Sequence, residues 1–147
     1  MPLPDGTTAP LLPFHLSLPL LITIAAVRVT LALFFVGMGL YGLAAPARLV
    51  RPFGIGLNGA TARTEVRAVY GGFGVALAAL LIWTAAGPAD PLRRGAALAV
   101  AVALLGMAGG RLTARLAEAP GPWYPSWFYF WVEATAGSAL LATVTMT

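Results

Sequence analysis

Two acids and two arginines stand where an apolar chain least tolerates charge. Glu65 and Arg67 open one apolar run, Arg111 closes another, and Glu133 lies inside a third. A charge inside a bilayer costs at least ~2.5 kcal/mol on insertion scales, so such groups persist when paired, hydrated or used. Glu133 stands about ten residues into the last run, which at 1.5 Å per residue is ~15 Å deep, near a bilayer midplane. An acid there is expensive unless paired or protonated, and a protonated one could donate to a substrate. Glu65 and Glu133 are therefore the candidate catalytic acids, with Arg67 or Arg111 to tune or bind. The structural alternative is a buried Glu–Arg pair that fixes helix register. The simplest arrangement pairs Glu65 or Glu133 with Arg111 or Arg67; Glu65 and Arg111 share a depth and read as such partners, while Glu133 has no partner assured by depth. Arg67 taken alone reads most simply as a boundary residue reaching lipid phosphate.

The remaining inventory excludes much. The chain has no cysteine, which removes disulfides, thiolate catalysis and thiolate metal sites. Its one histidine, His15, falls in a Pro-rich N-terminal stretch, and the acids are scattered. No metal site and no cofactor are expected. All nine basic residues are arginines flanking apolar runs, so lipid headgroups are the simpler partner and nucleic acid is not expected.

Aromatic residues crowd the start of the last run, at Trp123, Tyr124, Trp127, Phe128, Tyr129, Phe130 and Trp131. An interfacial belt explains them. The sharper reading is a wall for a flat lipophilic ligand. Trp127 and Trp131 share a face and Phe130 lies about one turn before Glu133, so these three join the candidate ligand set.

The elements that must position these residues follow from composition. The 147 residues are 59% hydrophobic and 10% charged, with mean hydropathy +0.85. Soluble domains run nearer a quarter charged, so one integral membrane domain is expected. Four apolar runs, at about 20–45, 64–86, 91–112 and 123–145, are long enough to span as helices. Residues 1–15 read as a flexible tail. No Lys or Arg precedes Arg28, so a cleaved signal peptide is not expected. The short link after the second helix predicts a tight antiparallel hairpin with the third. Glu65, Ala68, Gly72, Ala76 and Ala79 form a small-residue stripe, and Gly106 and Gly110 a Gly-x-x-x-Gly pair; both read as packing faces. The expected fold is thus an all-α, four-helix membrane bundle.

Orientation follows from arginine placement. Arg48, Arg51, Arg63, Arg67, Arg111 and Arg115 adjoin the first and third links. Arg93 and Arg94 lie on the opposite side, with Arg28 if it snorkels that way. The first and third links are expected in the cytoplasm, both termini outside, and the protein in the inner (plasma) membrane.

The run Thr64-Glu65-Val66-Arg67-Ala68-Val69-Tyr70-Gly71-Gly72 resembles the signature of a bacterial membrane family, domain of unknown function 4345. There the second helix opens Asn-Glu-x-Arg-Ala-x-Tyr-Gly-Gly, with Thr64 here in the Asn position. Gly110-Arg111-Leu112 is similar to the family's Gly-Arg step, and Glu133 fits a Glu in its last helix. The resemblance covers roughly Thr30 to Leu141. It implies a four-helix protein in which Glu65, Arg67, Tyr70, Gly71, Gly72, Arg111 and Glu133 belong to one pattern, and it adds Tyr70 to the candidate ligand residues. It implies no activity.

The first functional reading is an accessory or scaffold subunit of a larger membrane complex, with membrane proteins or a second copy as partners. Its rival is an intramembrane enzyme of isomerase or cyclase type on an isoprenoid-like substrate. A transporter or channel subunit is a third class, for which four helices would need a dimer.

Overall fold

The computed structural model describes residues 17–88, 90–119 and 121–146; His15 and the N-terminal tail lie outside them. The described residues hold helices and no strands. Helix α1 is Leu18–Ala44. It stops before Pro46, whose missing N–H cannot extend it, and Pro46 begins the short α2, Pro46–Val50. A 3-10 turn at Arg51–Phe53 leads to Gly54, which takes the left-handed conformation at φ 69°. Helix α3 is Gly59–Ala85, α4 is Pro91–Ala117 and α5 is Ser126–Thr145. Asp90 caps α4 by accepting from the Arg93 N–H at 2.9 Å, and Pro91 occupies a first-turn position where no donor is needed.

Three of these helices, α1, α3 and α4, are long and apolar enough to cross a membrane. Helix α5 has 20 residues, roughly 30 Å of helix. The helix ends differ from the hydropathy boundaries. Helix α3 begins at Gly59, more than a turn before Thr64, and α4 continues to Ala117, past Leu112. Apolar runs mark where helices are greasy; good helix formers such as Ala60, Ala62 and Ala114 carry the backbone further.

The helices pack most closely as two antiparallel pairs, α1 with α3 and α4 with α5. The tight hairpin expected of α3 and α4 is corrected: their link is short, but they touch less than either pair does. The shared core joins Ala32 and Phe35 of α1, Ala78 and Leu81 of α3, Ala97 and Val100 of α4, and Leu140 of α5.

The expected packing stripes are corrected too. Glu65, Ala68, Gly72, Ala76 and Ala79 are all exposed, and a Cβ on Gly106 or Gly110 would meet nothing within 4 Å. The glycines that pack are others. A Cβ on Gly39 would lie 2.8 Å from the Val75 nitrogen, one on Gly42 3.1 Å from the Gly71 nitrogen, and one on Gly74 3.1 Å from the Gly39 Cα. The register changes at a π-helical turn, Arg67–Gly72. The buried positions run Val66, Gly71, Gly74, Ala78, Leu81, so the first step is five residues rather than three or four.

Candidate functional site

Arg111 and Glu133 are partners. The guanidinium Nε donates to Oε2 at 2.8 Å and Nη2 to Oε1 at 2.9 Å, a bidentate fork between α4 and α5. Glu133 is only 5% exposed. This corrects the Glu65–Arg111 pairing: Glu65 is exposed. The correction has a geometric cause. Because α4 runs on to Ala117 and α5 starts at Ser126, Arg111 lies six residues inside its helix end and Glu133 seven, each roughly 10 Å. The two therefore meet at one level. A fork of this kind uses both carboxylate oxygens as acceptors, so Glu133 here receives hydrogen bonds rather than giving one.

Aromatic rings close over the pair. The Arg111 guanidinium carbon lies 5.5 Å from the Tyr129 ring centre and 5.9 Å from that of Phe53, and the two rings are 5.5 Å apart. Tyr129 stands one turn before Glu133 and so on its face, a spacing that could have singled it out. Phe53 comes from the 3-10 turn in the first link, and no periodicity pointed to it.

The pair forms the polar end of a cavity of about 890 Å³ between the two helix pairs. Its walls are Val27, Phe34 and Met38 of α1, Tyr70, Phe73 and Leu77 of α3, Leu104 and Met107 of α4, and Val132 and Ala136 of α5, among others. The walls are almost wholly apolar. Exposed Phe34, Val69, Phe73 and Met107 at its margin leave it open at the side of the bundle. A second space of about 440 Å³ beside the third link shares Met107 and Arg111 with the first and is also lined by Arg115, Glu118 and Trp127.

The candidate residues thus divide. Glu133, Arg111 and Tyr70 line the large cavity; Glu65 and Arg67 do not. Trp127 lines the smaller space. Phe130 and Trp131 line neither: they stack edge-on, with Trp131 56% exposed. Of the α5 aromatics, the one on the cavity is Tyr129, not the Trp127, Phe130 and Trp131 set, because the cavity faces the Glu133 side of that helix. Arg67 donates its Nε to the Leu43 carbonyl at 2.9 Å, satisfying the last turn of α1 rather than reaching outward.

The opposite end of the bundle is held by arginines on helix C-termini. Arg28 is buried, not snorkelled, and donates Nη1 to the Thr84 carbonyl at 2.8 Å; its Nε and Nη2 have no partner among the described residues. Arg93 donates to the Trp83 carbonyl, stacks 4.6 Å from the Trp83 ring and pairs with Asp90 at 3.0 Å. Arg94 donates Nη2 to the Val144 carbonyl at 3.2 Å. Each cation meets the negative end of a helix.

Among the described residues, no group of three or more His, Asp or Glu could hold a metal ion. A family model described as a domain of unknown function (DUF4345) matches residues 24–144. No curated protein and no solved structure matches the chain.

Proposed function

The chain belongs to the domain of unknown function 4345 family, and from that premise we propose a four-span membrane protein that holds a lipophilic molecule in the groove between its two helix pairs. The observation that carries this reading is the groove itself: about 890 Å³ of apolar wall ending on one ion pair, its Glu133 buried and its Arg111 half-buried. Ligand sites commonly have that volume and that scarcity of polar groups. The side opening would admit a ligand from the bilayer without a passage through water.

The acid–base enzyme reading loses its second acid, since Glu65 is exposed and does not line the groove. The accessory-subunit reading keeps one specific observation. Gly106, Gly109 and Gly110 have open space above them and would let another helix approach.

Titration of the purified full chain with a solvatochromic lipophile such as Nile red tests the proposal. Binding should saturate at one site, and Ala103→Trp, which places an indole in the groove, should abolish it. Unchanged binding in that variant sinks the reading.

A further inference from the structure

The polar end of the groove carries both signs of charge in equal number. Arg111 and Glu133 are forked together, and the adjoining smaller space adds one more cation and one more anion, Arg115 and Glu118. From this balance, and resting on the groove reading above, we infer that the occupant is a neutral amphiphile: a single long chain with hydrogen-bond-accepting oxygens at its head.

A carboxylate or phosphate head would enter a groove whose one cation is already neutralised by Glu133, and to gain a full counter-charge it would have to win Arg111 from that acid. That would strand a 5% exposed carboxylate without its partner, which is the costly way to break a buried pair. An ammonium head would draw Glu133 away and strand Arg111 in the same manner. A carbonyl, ester or hydroxyl head makes neither demand. Both Glu133 oxygens are already occupied, but the fork uses only Nε and Nη2 of Arg111, so the Nη1 hydrogens remain for a neutral acceptor. The tail side is suited to a chain. The walls run along α1 from Ile22 to Met38, sixteen residues or roughly 24 Å of helix, with no charged side chain beyond the Arg111–Glu133 pair.

Three probes with one oleyl-length tail separate the possibilities: monooleoylglycerol, oleate and oleylamine. Tritiated monooleoylglycerol bound to the full chain in amphipol, freed of the neutral single-chain detergent that would itself fit the site, would be competed with each unlabelled probe. Oleate and oleylamine should need at least about tenfold more than monooleoylglycerol. In Glu133→Gln, which frees the Arg111 charge, the order should reverse and oleate should compete best. The double variant Arg111→Gln/Glu133→Gln removes both charges, guards against a misfolded single variant, and should keep the neutral preference. If all three probes compete equally, or if Glu133→Gln leaves the order unchanged, the inference is overturned while the groove reading stands. If none of the probes binds, the groove reading itself falls.

Discussion

At the residue scale, Arg111 and Glu133 stand or fall together. Breaking a buried pair by removing one partner costs ~3–5 kcal/mol, whereas replacing both by apolar groups of similar size is often close to neutral. Arg111→Met and Glu133→Leu should therefore each lower the midpoint of thermal unfolding sharply in detergent, and the double variant should recover most of the loss. Equal, additive losses would mean that the two are not coupled. Glu133 stood out in the sequence because an acid inside an apolar run is conspicuous, and it is buried on the groove. Its partner was legible only as one of two arginines, Arg67 or Arg111. Depth measured from the ends of apolar runs put Arg111 level with Glu65, and the error came from the last turn and a half of α4, which is helical without being apolar. Phe53 was invisible for another reason: it reaches the pair from an irregular link, where no period assigns a face.

At the element scale, the helices could be read but their faces could not. Four apolar runs announced the elements within a few residues. Small-residue content then chose the wrong stripe on α3: Glu65 and Ala79 are exposed on either side of the π turn at Arg67–Gly72, while Val66, Ala78 and Leu81 are buried. The same turn sets Tyr70 on the groove and Gly71 against Leu43. The sequence singled out Gly106 and Gly110 as packing glycines, and the contacts give that role to Gly39, Gly42 and Gly74 instead. Gly39→Ala should destabilise the protein by about 1–3 kcal/mol, because a backbone nitrogen of α3 must move. Gly106→Ala should be neutral or stabilising by up to about 1 kcal/mol, since the added methyl meets open space and favours helix. Thermal unfolding of the two variants checks both; a loss at Gly106 as large as that at Gly39 would instead mark the face of α4 as covered by another chain.

At the scale of the whole molecule, arginine placement bears on orientation. Arg28 is buried, and Arg93 is engaged with Asp90 and a backbone carbonyl. Arg48, Arg51, Arg63 and Arg115, beside the first and third links, are exposed. On this distribution we propose that the first and third links face the cytoplasm; Arg94, on the opposite side, is exposed as well. Single cysteines test the proposed topology cleanly, as the chain has none of its own. Pro88→Cys should react with a membrane-impermeant maleimide added to intact cells, and Gly56→Cys should react only after the membrane is permeabilised. The opposite pattern would invert the protein.

The arginines that seal helix ends also make the bundle mechanically uneven. At the end with the α3–α4 link, guanidiniums tie α1 to α3, α4 to α3 and α4 to α5 through Thr84, Trp83 and Val144. At the other end, Arg67 ties α1 to α3 and the Glu133 fork ties α4 to α5, but each of these ties stays within one helix pair. Among the described residues, hydrogen bonds stitch the pairs to each other at one end only; at the other end they meet through the Phe53 ring against Tyr129 and Arg111. The molecule is built like a clothes-peg, with its spring at the α3–α4 link and its jaws at Phe53 and Tyr129, so any splaying of the halves widens the groove most where the charged pair waits.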